Sequence, residues 1–194
     1  MAFYSKSSLN AIILAGGQSS RMGKDKALLL IDGIPLLQKI YTVASDCTQN
    51  VYVISPWIEQ YTSILPQSCH FIRENTPTHG PLVAFFLALN HVESDWILLL
   101  ACDLPLLTSE IVQQWANSLP GVPETAIAYL PKQDDLWHPL CGFYRRCCLA
   151  SLEYFIKKGG RSFQGWLNQS TVQQILVSDP RVLLNCNTPQ DLLF

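Results

Sequence analysis

The chain is poor in charge. Only 14% of its 194 residues are Asp, Glu, Lys or Arg, and 13 basic against 15 acidic side chains leave a net charge of −2. That balance lacks the clustered cations on which nucleic-acid binding rests, so no nucleic-acid partner is expected. Disorder is excluded too, because 48% of the residues are apolar and the net charge is small. No run suits a membrane span: the apolar stretch from Trp96 to Cys102 is stopped by Asp103, far short of about 20 residues. Met1 to Asn10 carries one lysine and no apolar core of a secretory signal. The seven cysteines (47, 69, 102, 141, 147, 148 and 186) include no C-x-x-C pair, which excludes zinc-ribbon and thioredoxin readings. Their odd number points to a cytoplasmic protein with reduced, buried thiols acting as small apolar residues. No repeat, low-complexity tract or linker divides the chain, so one domain over residues 1–194 is expected.

What is present is an alternation of strand and helix patterns. Short apolar runs predict strands at Ala11–Ala15, Val51–Ile54, His70–Ile72, Trp96–Ala101, Ala126–Leu130, Leu140–Tyr144 and Thr171–Val177. Helical spacing predicts helices over Pro35–Cys47, Leu82–Val92, Thr108–Leu119 and Cys147–Lys158, with a further start at Thr188–Asp191. Such alternation predicts an α/β fold, a three-layer α/β/α sandwich around a mostly parallel sheet. Ligands of open parallel sheets bind beyond the carboxyl ends of the strands, so the loops after strands are the ones to examine.

The loop after the first strand reads Gly16-Gly17-Gln18-Ser19-Ser20-Arg21-Met22-Gly23-Lys24-Asp25-Lys26. Adjacent glycines permit a tight turn with N–H groups facing an anion, and Arg21, Lys24 and Lys26 add three cations within six residues. The P-loop pattern fails: five residues separate Gly17 from Gly23, and Asp25 occupies the place of the magnesium-binding Ser or Thr. Gly16-Gly17 does not fit G-x-G-x-x-G either. On chemistry alone, a polyphosphate cradle and a solvated Gly/Ser loop both remain open. Asp103 ends the Trp96–Cys102 run. A carboxylate there needs compensation, which a divalent cation shared with substrate phosphates supplies. A capping or turn aspartate is the alternative, and the expected phosphate cradle on the same edge favours the metal.

These segments resemble the molybdenum-cofactor guanylyltransferase family of nucleotidyltransferases. Its opening pattern, LAGG-x-S-x-RMG-x-DK, is matched by Leu14-Ala15-Gly16-Gly17, Ser19, Arg21-Met22-Gly23 and Asp25-Lys26. Gly80-Pro81-Leu82, Asp103-x-Pro105, His138-Pro139-Leu140 and Asn185-Cys186-Asn187-Thr188-Pro189 follow in the family's order, so the resemblance runs from about Ala11 to Leu192. It implies a Rossmann-like nucleotidyltransferase (nucleotide-diphospho-sugar transferase) fold. It also implies a Mg2+-dependent transfer of GMP from GTP to Mo-molybdopterin, with loss of pyrophosphate. Residues from about 11 to 110 would bind the nucleotide and those from about 125 to 194 the molybdopterin. The resemblance places Leu14, Ala15 and Gly16 at guanine, Gly17 and Arg21 along the phosphates, Lys26 at the α-phosphate and leaving group, and Asp103 on magnesium. Arg161, Asn185 and Asn187 fall on the pterin side. Transient contact with other cofactor-biosynthesis proteins belongs to the same expectation.

The resemblance also places Glu74 at the nucleotide, where the family usually has an aspartate and this chain supplies a carboxylate of longer reach; a second departure is Ala84, where a second glycine is usual, and no asparagine follows Ile54-Ser55. A molybdopterin cytidylyltransferase and a sugar-phosphate nucleotidyltransferase are the nearest alternatives. The cytidylyl relatives tend to carry PAAG in place of Leu14–Gly17, which favours guanine. A binding module without catalysis would be expected to lose Lys26 or Asp103. His70, His79 and His91 share no spacing that suggests one site, and His138 reads as a positioning residue. Arg145-Arg146 and Lys157-Lys158 read as solvated ends of a strand and a helix. The five tryptophans fit a core, and Cys147-Cys148 fits helix packing.

Overall fold

The computed structural model describes residues 9–16, 25–75 and 79–186. In chain order the elements are β1 (Leu9–Leu14), β2 (Leu30–Ile31), β3 (Ile34–Pro35), α1 (Leu36–Cys47), β4 (Val51–Ser55), α2 (Ile58–Tyr61), β5 (His70–Arg73) and α3 (Pro81–Leu89). They continue with β6 (Trp96–Ala101), α4 (Ser109–Ala116), β7 (Ala128–Gln133), β8 (Leu136–Trp137), β9 (Cys141–Arg145), α5 (Cys148–Lys157), α6 (Phe163–Leu167) and β10 (Val172–Ile175). Single 3-10 turns stand at Lys26–Leu28, Leu119–Gly121 and Pro180–Leu183.

The main sheet runs β10-β7-β9-β6-β1-β4-β5, with β8 paired to β7. β5, β4, β1 and β6 are mutually parallel, as are β7 and β10; β9 alone on this path is antiparallel to its neighbours. β1 and β6 are buried at every position, as expected of strands covered on both faces. Successive residues of β1 enter opposite cores: Ala11 and Ile13 pack with α1 and α4, Ile12 and Leu14 with α3, α5 and α6. This is the three-layer sandwich that the alternation predicts. Among the described residues, no helix is long and apolar enough to cross a membrane.

Several local readings change. The predicted helix over Leu82–Val92 starts at Pro81, after Gly80 at φ 81, and closes at Leu89, where the Asn90 amide donates to the Phe86 carbonyl. Two hairpins went unpredicted. Asp32 and Gly33 both hold positive φ between β2 and β3, and Asp134 and Asp135 do so between β7 and β8, as primed two-residue turns require. Arg145 is no solvated terminus: it lies 4.2 Å over the Trp96 ring and donates to the carbonyls of Ala126 and Val122. Arg146 likewise donates to the Val92 carbonyl. Lys157 is exposed and pairs with Glu153. Five of the cysteines are buried as expected, but Cys102 is half-buried and Cys147 exposed. The helix start expected at Thr188 lies outside the described residues.

Candidate nucleotide site at the carboxyl edge of the sheet

Register alone gathers the site. Leu14 is level with Ile54 on β4 and with Ala101 on β6, and Ile54 is level with Ile72 on β5. The segments that follow these strands therefore leave the sheet side by side, carrying Gly16, Ser55-Pro56, Glu74 and Asp103. The antiparallel β9 begins at this edge, where the Ala101 N–H donates to the Leu140 carbonyl at 2.8 Å. The last described stretch of chain returns here too, and the Cys186 N–H donates to the Asp103 carbonyl at 2.9 Å.

Lys26 opens a 3-10 turn capped by Asp25, whose Oδ1 accepts from the Ala27 N–H at 3.0 Å. The turn directs Lys26 Nζ to 3.7 Å from Asp103 Oδ2. Asp103 is only 16% exposed, and its Oδ1 is buried with no hydrogen-bond partner. Burial raises its pKa, and the Lys26 charge opposes that shift. A buried carboxylate oxygen left unsatisfied is costly to the fold. With a cation already beside the other oxygen, this donor set fits a divalent ion that takes its remaining ligands from phosphates and water.

Glu74 is the second buried carboxylate, 5% exposed. Burial raises its pKa as well. Its backbone N–H donates to the Ser55 carbonyl at 3.0 Å. A Cβ placed on Gly16 would lie 2.6 Å from Glu74 Oε2 and 3.1 Å from Pro56 Cδ. Glycine at position 16 thus lets the carboxylate sit directly against the backbone as it leaves β1.

Leu14 and Ala15 are buried, so their side chains belong to the core. The Ala15 N–H donates to the Ile54 carbonyl at 3.0 Å, and the Ala15 carbonyl accepts from the Tyr61 hydroxyl at 3.2 Å. Asn185 is exposed, next to the Cys186 amide that is bonded to Asp103. Arg161 stands apart from this group: its guanidinium donates to Ile156 and Gly160 carbonyls within its own turn. α6, which follows that turn, is fastened to β8 by the Gln164 amide, bonded to both the N–H and the carbonyl of Trp137. Gly17, Arg21 and Asn187 lie outside the described residues. Sequence reasoning missed Tyr61 and the structural use of Asp25. The capping position of Asp25 was a usable signal; Tyr61 carries none, since its partners lie 36 and 46 residues away.

An open α/β sheet whose first loop carries Lys26 and whose central strand ends at a buried carboxylate has the layout of a nucleotide-binding enzyme. The comparisons with known proteins agree. The family model described as the MobA-like NTP transferase domain matches residues 11–173. A Nostoc protein named "Probable molybdenum cofactor guanylyltransferase" is 53% identical, over 95% of this chain and 88% of its own. A Synechococcus elongatus protein of the same name is 43% identical, over 93% and 94%. The crystal structure of molybdopterin-guanine dinucleotide biosynthesis protein A from Archaeoglobus fulgidus superposes with a TM-score of 0.76, at 22% identity and over 95% of both chains. The chain belongs to the MobA-like NTP transferase family and is a nucleotidyltransferase.

Proposed function

We propose that this chain transfers GMP from GTP to the phosphate of Mo-molybdopterin, forming the guanine dinucleotide cofactor and releasing pyrophosphate. The observation that carries the reading is the Lys26–Asp103 pair, 3.7 Å apart, with one Asp103 oxygen buried and unpartnered. Lys26 neutralises the α-phosphate and the departing pyrophosphate, where negative charge grows during transfer. Asp103 holds Mg2+, which when bound supplies charge neutralisation to the phosphates. The acceptor phosphate is already ionised near neutral pH, so no strong base is required. Arg21 and Gly17 complete the phosphate contacts, as the family pattern implies.

Guanine is read at Gly16 and Glu74. Its ring N–H and exocyclic amine are adjacent donors, which a carboxylate accepts as a pair. Neither cytosine nor adenine offers two adjacent donors on that edge. The Ala15 N–H is already bonded within the sheet, so Leu14 and Ala15 contribute mainly packing and the Ala15 carbonyl. Arg161, Asn185 and Asn187 serve the pterin side, with residues from about 11 to 110 holding the nucleotide and those from about 125 to 194 the acceptor. A cytoplasmic setting suits the seven cysteines.

The test is transfer from α-labelled GTP, CTP, ATP and UTP to molybdopterin, run in parallel. Each buried group left unpaired by a wrong base costs about 1–3 kcal/mol, so two give a preference for GTP on the order of 10²-fold in kcat/KM. Equal use of CTP would replace this reading with a cytidylyl or broad-specificity enzyme.

A further inference from the structure

Tyr61 is fully buried at the end of the short α2, within hydrogen-bond reach of both Ala15 and Asp25. Its hydroxyl donates to Asp25 Oδ2 at 2.5 Å and lies 3.2 Å from the Ala15 carbonyl oxygen. A phenol has one proton, and the short contact to a carboxylate takes it; such charge-assisted O–H···O bonds are short and strong. The Ala15 carbonyl receives the weaker arm. Burial and the neighbouring Asp25 both push the Tyr61 pKa up, so the proton stays on the phenol.

One hydroxyl thus ties together two positions ten residues apart in the chain. Ala15 is the residue that follows β1, and Asp25 is the cap of the turn that begins with Lys26. The two Asp25 oxygens divide the work: Oδ1 holds the turn through the Ala27 N–H, and Oδ2 holds the turn to Tyr61. The tyrosine itself rests on a fixed frame. The Trp57 N–H at the head of α2 donates to the Ser55 hydroxyl at 3.0 Å. Arg73, at the end of β5, bonds the Pro56 carbonyl and pairs with Glu59 of α2. Position therefore passes from the strand ends through Tyr61 and Asp25 to Lys26, and so to Asp103.

We infer that Tyr61 is a positioning residue for nucleotide transfer: its phenol fixes Asp25 against the end of β1 and thereby sets Lys26 opposite Asp103. This rests on the proposed assignment of that edge to the nucleotide. A purely structural tyrosine would need only its ring in the core; here the hydroxyl has a charged partner in the very motif that carries Lys26.

Tyr61→Phe keeps the ring and removes the donor. Loss of a hydrogen bond to a charge makes the productive arrangement of Lys26 a minority state, and apparent affinity falls with that fraction. The expected loss is about 10- to 100-fold in kcat/KM for GTP. The deciding experiment is a double-mutant cycle with Lys26→Ala, measured by labelled GMP transfer at a temperature where circular dichroism shows every variant folded. If Tyr61 acts through Lys26, Tyr61→Phe costs little more once Lys26 is gone. A structural role gives the same fractional loss in both backgrounds, and that result overturns the inference, as does a Tyr61→Phe enzyme of normal activity. Asp25→Asn, which breaks the same contact from the other side, substitutes if Tyr61→Phe does not fold, with the same loss and the same non-additivity expected. A wild-type chain that transfers no GMP overturns the underlying functional reading and the inference with it; an active wild type with additive losses overturns the inference alone.

Discussion

Asp103→Asn separates what this carboxylate does for the reaction from what it does to the fold. Its Oδ1 is buried and unpartnered, and its Oδ2 lies 3.7 Å from Lys26 Nζ. An unsatisfied buried acceptor costs about 1–3 kcal/mol, and more when charged, whereas a partly exposed ion pair contributes roughly 0–1 kcal/mol. The ionised carboxylate is thus a net burden on folding, and the isosteric amide removes most of it. Metal-free Asp103→Asn protein is expected to match or exceed the wild type in Tm, at roughly 2–4 °C for each kcal/mol in a chain of this length. The pH sign follows from the raised pKa of Asp103. The native state keeps this proton to higher pH than the unfolded chain, so the wild type has its full stability below the ordinary aspartate pKa of about 3.9 and loses part as pH rises through the raised value. The Tm difference in favour of asparagine therefore opens over that interval and persists at neutral pH. Turnover moves the other way, falling by about 10²-fold or more. Thermal-shift curves across pH in EDTA and then in magnesium, beside labelled GMP transfer, measure all three. Magnesium should raise the Tm of the wild type and leave the variant unmoved. A clear fall in Tm for the metal-free variant would make Asp103 a structural residue, and near-normal turnover would remove it from the reaction.

Lys26→Ala should lower kcat/KM for GTP far more than Lys24→Ala, because Lys26 Nζ lies 3.7 Å from Asp103 and the family pattern selects Lys26; equal losses in steady-state kinetics would reassign the phosphate contact. Gly16→Ala puts a methyl group 2.6 Å from Glu74 Oε2. The carboxylate is the far end of a flexible side chain and can move, so Tm should change little while the preference for GTP over CTP and ATP shrinks. A variant with unchanged selectivity in a competition assay would take Glu74 out of base reading.

The parts of the fold that the sequence makes legible are those where burial is symmetrical. β1 from Ala11 onward, β4 and β6 are apolar runs closed by Gly, Ser-Pro and Cys-Asp, and α1 and α4 show the helical period over two turns or more. The direction of β9 was not legible, because an apolar run carries no sign. The five-residue α6 is too short for periodicity to mark it. The β2–β3 hairpin carries a local signal, Asp32-Gly33, that the strand and helix patterns alone do not use. In the site, each residue type and its place after a strand could be read locally. That Lys26 meets Asp103, 77 positions along the chain, follows from the pairing of β1 with β6. Tyr61 and Arg145 show the opposite limit: each finds partners through strand pairing and side-chain reach, and nothing in their flanking residues specifies them.

The strand order also orients the proposed substrates. Along the carboxyl edge the order is β5, β4, β1, β6 and β9, which sets out Glu74, Ser55-Pro56, Gly16, Asp103 and Leu140 in sequence. On the proposed assignment the base would lie toward β5, the phosphates between β1 and β6, and the acceptor beyond β6, where Asn185 precedes the Cys186 amide bonded to the Asp103 carbonyl. On that proposed assignment, base recognition and phosphate chemistry would occupy opposite sides of β1, so changes at Gly16 or Glu74 should alter the choice of base while leaving the Lys26–Asp103 pair intact. The Tyr61 hydroxyl links the two sides, meeting the Ala15 carbonyl and Asp25 together. A sheet edge of this kind can therefore change its base without rebuilding its chemistry, provided that the phenol and its carboxylate stay in place.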